Sequence, residues 1–320
     1  MRKGRGILLV AFICLEVAMG MSPNLAIAQQ VKIAVLKGYD IDVYENALGG
    51  FRAVFEKNGY NVDWIYYNME GDETKGRQIT QEIKSKRPDL VLTLGSIATK
   101  VVKEEIKDIP IIFTMVVDPV REGLLESTQR PGSNLTGVSL AIPVLFQFRT
   151  FKTFLPTLRK IGIIYNPAKL KLTVEEAKLA AREMNLELVL RPISSEGDIS
   201  QVINGLIGSV DGIWAPVDSS VFNTESLKSL LLFSLSNNLP VMGFSASFVK
   251  AGAVLGVYCD YRDIGRQAAE MGIRVLKGEK PAELPVALPI RTKLAINQSI
   301  AKKMGVEPPP EMLKEAEFVF

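Results

Sequence analysis

An apolar strand that leads through a glycine turn into a helix is the central pattern of the chain. Residues 89–94 form a nearly continuous apolar run, which is typical of a parallel strand covered on both faces. Gly95 and Ser96 follow, and apolar residues then recur at helical spacing as far as Ile106. Ser96 is predicted to cap this helix, whose unpaired N–H groups would favour an anionic group such as a carboxylate.

The same alternation of strand and helix extends over most of the chain. Strands are predicted at residues 31–36, 62–67, 89–94, 110–117, 160–165, 186–190, 212–217, 240–244 and 254–258. Helices between most of them predict right-handed crossovers and doubly wound parallel sheets. Because the alternation starts again after the loop at residues 130–139, the sequence predicts an α/β fold with two such lobes and a cleft between them.

The first 28 residues have the three parts of a secretory signal peptide. Residues 1–5 are positively charged, residues 7–21 are mostly apolar, and Ala26 and Ala28 are small residues at the positions that a signal peptidase reads. We expect cleavage near Ala28 and a periplasmic or otherwise extracytoplasmic location. An uncleaved anchor is one alternative, although the apolar stretch is short for a span of ~20 residues and contains Glu16. A lipoprotein lipidated at Cys14 is another, although bulky Phe12 and Ile13 precede that cysteine where a small residue is expected.

Composition excludes several classes of function. The formal charge of +3 falls to +1 when residues 1–28 are removed, so nucleic acid is not an expected partner. The chain has no histidine, which excludes Ser-His-Asp and Cys-His catalysis and histidine-containing zinc sites. Cys259 is the only cysteine after the signal peptide, and we expect it to be a small buried side chain rather than a reactive thiol. No metal and no cofactor are expected.

Catalysis could involve three carboxylates that stand at predicted strand ends. Asp118, Asp218 and Asp260 each follow a different strand. An acid and base pair of the glycosidase kind would need two of them about 5 to 10 Å apart, a distance that sequence does not supply. Helix capping and turn formation are the structural alternatives, particularly for Asp118, which precedes a proline.

Ligand binding is the hypothesis that the pattern favours. The helix start at Ser96 would bind a carboxylate, Asp218 from the other lobe would pair with an ammonium group, and aromatic residues would form an apolar wall. These aromatic residues could instead belong to the core. The candidate ligand-binding residues are Tyr39, Asp40, Gly95, Ser96, Thr114, Asp118, Tyr165, Asn166, Asp218, Ser219, Phe244, Ser245 and Asp260.

Several short motifs, each weak alone, form a specific set together. They are Pro88-Asp89-Leu90 with Gly95-Ser96, Pro110-Ile111-Ile112-Phe113 with Val117-Asp118-Pro119-Val120, residues 131–139, Tyr165-Asn166-Pro167, Pro216-Val217-Asp218, Gly265-Arg266-Gln267-Ala268-Ala269 and residues 297–310. With this set, residues 31–320 resemble the substrate-binding proteins of ABC transporters, of the type that includes bacterial tryptophan- and tyrosine-binding proteins.

The resemblance implies a type I periplasmic binding fold, in which a small-molecule ligand binds between two lobes and favours their closure. By position it assigns Ser96, Asp218 and the turn at Asp118 to the ligand cleft. It also implies that the closed form docks on an ABC permease in the inner membrane. We expect a monomer whose first lobe holds residues 31–139 and 261–288 and whose second lobe holds residues 140–260 and 289–320.

Two turns depart from the pattern of the aromatic amino acid binders. Where those proteins often have a His-Pro pair in the first turn, this chain has Ile41-Asp42. Where they commonly have Ser-Asp-Glu after the strand at 240–244, it has Phe244-Ser245-Ala246. Both turns lie where a ligand would be recognised.

The function that we predict is that of an extracytoplasmic solute-binding protein of an ABC importer, with an amino acid or a related compound as its ligand and no enzymatic activity. A periplasmic sensor that presents its ligand to a receptor is the first alternative, since the chain has no signalling domain that would distinguish sensing from uptake. An exported hydrolase that uses Asp118, Asp218 and Asp260 is the second, and a structural role with an unused cleft is the third.

Overall fold

The computed structural model describes residues 30–193, 199–218 and 221–320. The predicted signal peptide and Ser219 lie outside these ranges. In the part of the chain that the structure describes, no helix combines the length and the apolar character that crossing a membrane requires.

A five-stranded parallel sheet forms the first lobe, in the order β2-β1-β3-β4-β5. Its strands are β1 (Gln30–Lys37), β2 (Asn61–Asn68), β3 (Leu90–Leu94), β4 (Ile111–Val116) and β5 (Leu135–Ser139). Three helices connect them, namely α1 (Asp42–Lys57), α2 (Glu73–Lys86) and α3 (Ser96–Glu105). Every residue of β3 is buried, and successive side chains enter apolar clusters on opposite faces of the sheet, as the apolar run predicted.

A seven-stranded sheet forms the second lobe, in the order β12-β11-β10-β9-β8-β6-β7. Its strands are β6 (Lys160–Tyr165), β7 (Glu187–Pro192), β8 (Gly212–Trp214), β9 (Val241–Gly243), β10 (Leu255–Cys259), β11 (Thr292–Ile296) and β12 (Phe318–Val319). The helices that follow α3 along the chain are α4 (Val144–Phe154), α5 (Pro167–Glu183), α6 (Ile199–Asn204), α7 (Thr224–Ser236), α8 (Ala246–Ala251), α9 (Tyr261–Leu276), α10 (Gln298–Lys303) and α11 (Pro310–Glu315). The prediction of two doubly wound α/β lobes is confirmed.

Helix α9 leaves the second sheet and packs on the first lobe. Its glycine Gly265 lies so close to α1 that a Cβ atom there would be 1.7 Å from the backbone oxygen of Ala47. On the facing helix, a Cβ on Gly50 would be 1.9 Å from the backbone oxygen of Arg262. The two helix backbones are therefore in direct contact, which only residues without a side chain allow.

Three local predictions are wrong. Ser96 does not cap α3: the helix begins at Ser96, Gly95 is its N-cap, and no side chain of a described residue bonds to the cap. The short helix α8 stands between β9 and β10, where the sequence predicted one strand following another. Strands β11 and β12 were not predicted, and β11 pairs antiparallel with β10, so the second sheet is not wholly parallel.

Candidate functional site

A cavity of about 340 Å³ lies where the first lobe meets the strand ends of the second. Its wall includes the turn after β4, the link at residues 140–142, side chains of α4 and α5, and the ends of β8, β9 and β10. The turn after β4 belongs to the first sheet and the other strand ends belong to the second, so the cavity lies between the lobes. Its aromatic lining residues are Trp214, Phe244, Tyr258 and Tyr261.

The indole of Trp214 is held in one orientation. Trp214 ends the buried strand β8, and its Nε1–H donates a hydrogen bond to Gln147 Oε1 at 2.9 Å. Gln147 in turn donates through Nε2 to the backbone oxygen of Ile142 at 2.8 Å. Phe148 packs edge-on against the indole, with 5.2 Å between the ring centroids. This arrangement was not predicted from the sequence, because Gln147 and Trp214 are 67 positions apart along the chain.

Tyr258 is fixed by a hydrogen bond at its phenol. Its hydroxyl donates to Glu317 Oε2 at 2.7 Å, and Glu317 also accepts from the ammonium of Lys293. Burial, followed by the bond to Glu317, raises the pKa of Tyr258 above its ordinary value, and burial raises the pKa of Tyr261 to about 12. Both phenols are therefore neutral at physiological pH and present uncharged rings to the cavity.

Two charged side chains of the cavity wall, Arg121 and Glu176, form hydrogen bonds with backbone groups of the protein. Arg121, after β4, donates through Nη1 to the backbone oxygen of Lys169 at 2.9 Å, a bond that joins the two lobes. Glu176 of α5 accepts the N–H of Val144 at the start of α4, at 2.7 Å. These bonds leave further guanidinium N–H groups and carboxylate lone pairs that could orient a polar ligand.

Three of the thirteen sequence-predicted residues line this cavity: Asp118, Phe244 and Ser245. Asp118 Oδ1 accepts the N–H groups of Val120 and Arg121, so it also shapes its own turn. Ser245 caps α8 by accepting the N–H of Phe248 at 3.2 Å.

The predicted residues of the first lobe gather at one edge of its sheet. The N–H of Gly95 donates to the backbone oxygen of Thr114 at 2.9 Å, which places the ends of β3 and β4 side by side. Asp40 lies in the neighbouring turn after β1, where it pairs with Lys37 at 2.6 Å. Ser96 is partly buried, and Tyr39 is 47% exposed. None of these residues belongs to the cavity lining as the structure describes it, and their ligand roles stay predictions.

Among the predicted residues of the second lobe, Asp218 is only 6% exposed and contacts Asn166. Its Oδ2 accepts the N–H of Asn166 at 3.3 Å, so the ends of β6 and β8 are in contact. Tyr165 ends β6, and Asp260 caps α9 by accepting the N–H of Asp263 at 3.2 Å. Ser219 lies outside the described residues. Of the structural roles that the sequence allowed for the carboxylates, turn formation is found at Asp118 and helix capping at Asp260.

The sequence did not identify several cavity residues. Trp214 and Tyr258 stand at strand ends, so the rule that selected Phe244 could have found them. Glu176 stands on a helix among other polar residues, and Gln147 stands between two phenylalanines of an aromatic-rich helix. Neither residue follows a strand, so the rule that selected strand ends does not reach them.

A cavity between two α/β lobes defines a two-lobed binding protein, and comparison with known proteins specifies its class. The model of the family described as ABC transporter substrate binding protein matches residues 32–320. The chain belongs to this family, whose members are extracytoplasmic solute-binding proteins. The family resemblance stated from the sequence is confirmed.

Three relatives are similar over most of their length. A tyrosine-binding protein of Clostridioides difficile is 29% identical over 269 residues, which are 82% of this chain and 77% of the relative. A domain from Streptococcus pneumoniae in complex with L-Trp is 28% identical and covers 91% of this chain and 100% of its own, with a TM-score of 0.70. The ligand-free, open structure of a substrate-binding protein with adhesive properties from Clostridium difficile is 27% identical over 90% of this chain and 99% of its own, with a TM-score of 0.80. The fold is thus of the type I periplasmic binding kind.

Proposed function

We propose that this chain is the solute-binding component of an ABC importer and that it binds an aromatic amino acid, or a closely related compound, between its lobes. The observation that carries the proposal is the interlobe cavity with Trp214, Phe244, Tyr258 and Tyr261 in its wall. A volume of about 340 Å³ is within the range of small-molecule sites, and rigid aromatic walls suit a flat apolar side chain. The ligands named for the two amino-acid-binding relatives, tyrosine and L-Trp, support the same class.

We propose that the described arrangement is an open one. The TM-score is higher against the ligand-free, open relative than against the complex with L-Trp. Closure would bring the strand ends of the first lobe over the cavity, with Gly95, Ser96 and Thr114 among them. Residues of the predicted list that lie outside the present lining would then reach the ligand.

The lobe boundaries that we propose are residues 31–139 with 261–288, and residues 140–260 with 289–320. Support comes from α9, which packs on α1, and from Val138 of the first lobe, which pairs with Ala287. The pairing of β11 with β10 supports the assignment of the last segment to the second lobe. In this division the chain crosses between the lobes three times, which suits a hinge.

Tryptophan fluorescence gives a direct test of the site. The chain has two tryptophans, Trp64 on β2 and Trp214 in the cavity wall, so in a Trp64→Phe variant emission reports on the cavity alone. We expect L-tyrosine to change the emission of this variant in a saturable way, with excitation at a wavelength that tyrosine does not absorb. Trp214→Phe is the matched control, in which emission from Trp64 should respond little.

A thermal-shift screen with amino acids, short peptides, purines and organic acids completes the test. A ligand at about 100 times its dissociation constant adds roughly 2.7 kcal/mol to the free energy of unfolding, which is readily visible as a shift in Tm. A selective response to aromatic amino acids supports the proposal. The proposed ligand is contradicted if only another class of compound raises the Tm and L-tyrosine leaves the emission of Trp214 unchanged.

A further inference from the structure

The start of α3 has polar groups that no described residue pairs. Its N-cap is Gly95, and the first-turn N–H groups of the helix receive no side-chain cap within the described residues. Such N–H groups, with the positive end of the helix dipole, attract an anion. A helix start is a common feature, however, and by itself it does not identify a ligand site.

Tyr44, whose ring is buried, brings its hydroxyl to the same place. The residue is 7% exposed, and a Cβ atom on Gly95 would lie 2.1 Å from its Oη, so the hydroxyl occupies the space directly beside the N-cap. Gly95 has φ of +93°, a conformation that suits glycine. The Tyr44 hydroxyl has no hydrogen-bond partner anywhere in the described ranges. The ring is buried, but the hydroxyl oxygen is not among the fully enclosed unpaired atoms of the described residues, so a partner can reach it from outside the chain.

Thr114 supplies a second unpaired hydroxyl at this sheet edge. It is 1% exposed, its Oγ1 has no partner among the described residues, and its backbone oxygen accepts the N–H of Gly95. Tyr44 Oη beside Gly95 and the unpaired hydroxyl of Thr114 on the adjoining strand end are thus two hydroxyl groups without partners among the described residues. Hydroxyl and N–H donors of this kind suit an acceptor-rich group such as a carboxylate.

The start of α3 and the cavity are in contact with one apolar cluster. Tyr44 and Met115 belong to the apolar cluster against which Leu140, Ile142 and Tyr261 pack, and these last three line the cavity. A ligand whose ring lies in the cavity could thus direct its head group toward α3.

We propose that Tyr44 is a ligand-binding residue whose hydroxyl donates a hydrogen bond to the carboxylate of an amino acid at the start of α3. This inference rests on the proposed function. Burial, with smaller effects of Tyr39 and Glu122, raises the pKa of Tyr44 to about 12, so the phenol keeps its proton at neutral pH.

Calorimetric titration with L-tryptophan and L-tryptophanamide tests this role. The amide keeps the ring and the ammonium group but lacks the carboxylate. We expect Tyr44→Phe to lower the affinity for L-tryptophan by about tenfold to a hundredfold, the usual effect of losing a hydrogen bond to a charged group. Affinity for the amide should change much less. Tyr67→Phe is the control, since it removes a surface hydroxyl bonded to Glu82 and should leave both affinities unchanged.

The variant keeps the aromatic ring of Tyr44, and its ligand-free melting temperature confirms that it folds. If Tyr44→Phe binds L-tryptophan as tightly as the wild-type protein does, the inference about Tyr44 is overturned and the proposed function stays in place. Equal losses for L-tryptophan and the amide would also overturn it, because Tyr44 would then act through the apolar wall. If the wild-type protein binds neither L-tryptophan nor L-tyrosine, the proposed function and this inference fail together.

Discussion

The aromatic side chains of the cavity are held by polar groups that stand behind them. Gln147 accepts the indole N–H of Trp214, and Glu317 accepts the hydroxyl proton of Tyr258. Each ring is therefore ordered before a ligand arrives, which reduces the conformational entropy lost on binding. A ligand can use the faces of these rings without competing for their hydrogen bonds.

The hydrogen bond that holds Tyr258 depends on the charge of the Glu317 carboxylate, and therefore on pH. Burial acts to raise the pKa of Glu317, but hydrogen bonds from Lys293 and Tyr258 outweigh it and lower the pKa below the ordinary value of 4.5. A lowered pKa in the folded state stabilises the protein above the unfolded pKa, and this contribution is lost as pH falls through the folded value. We expect the Tm advantage of the wild-type protein over Glu317→Gln to shrink as pH falls from about 6 to 3.

The exposed Glu315, two residues earlier in the chain, supplies the matched control. Glu315→Gln should follow the wild-type Tm at every pH. A difference between the wild-type protein and Glu317→Gln that stays constant across the range would contradict the assigned charge pairing.

The sequence predicts site residues only where they follow strands. Asp118, Phe244 and Ser245 are strand-end residues that line the cavity, and the same rule misses Gln147, which contributes from a helix. The role proposed for Tyr44 was not predictable for a related reason: in the first turn of α1 its ring is indistinguishable from a core residue. Only the fold brings it beside Gly95, 51 positions away in the chain.

Helices α1 and α9 are the elements that attach the returning chain to the first lobe. Their apolar faces pack on the sheet, and their backbones touch at Gly50 and Gly265. Since α9 begins directly after the second-lobe strand β10, this contact fixes one of the crossings between the lobes. The stability of the contact should therefore influence how the lobes are joined.

The neighbouring glycines of α1 provide a matched pair of variants. A Cβ on Gly50 would collide with the backbone oxygen of Arg262, whereas a Cβ on Gly49 would meet only Arg262 Nη1, at 3.8 Å. We expect Gly50→Ala to lower the free energy of unfolding by about 1 to 3 kcal/mol, because α9 must shift to make room. Gly49→Ala should be neutral or stabilise by up to about 1 kcal/mol, because alanine favours the helix.

Denaturant unfolding of the two variants measures both effects. Equal stabilities of Gly49→Ala and Gly50→Ala would show that α1 and α9 can separate at no cost, contrary to the close contact described here.

The elements of the parallel sheets were predictable because each buried strand is a short apolar run followed by a turn. The C-terminal elements were not. β11 has three half-buried residues, and β12 has two exposed residues, so neither shows the pattern of a covered strand. They are stabilised by pairing with β10 and with one another, which is a tertiary effect that a local pattern does not contain.

At the scale of the whole molecule, the two lobes share a cavity but touch through few polar bonds near it, of which Arg121 to Lys169 is one. The polar edge at the start of α3 lies on the first lobe, and the aromatic wall lies largely on the second. A ligand that engages both must bring them together, and its binding free energy then favours the closed form by the contacts that only closure completes.

Small-angle X-ray scattering of the purified protein tests this coupling. We expect saturating L-tryptophan to reduce the radius of gyration, because the open arrangement is replaced by the closed one. Tyr44→Phe, at a concentration of L-tryptophan that saturates its weaker site, should show the same contraction, since the remaining contacts still span the cleft. Trp214→Ala at an L-tryptophan concentration that leaves it unoccupied should show none. If the wild-type protein binds L-tryptophan in the calorimeter without any contraction, the second lobe holds the ligand alone. The polar edge of the first lobe at the start of α3 would then have no part in recognition.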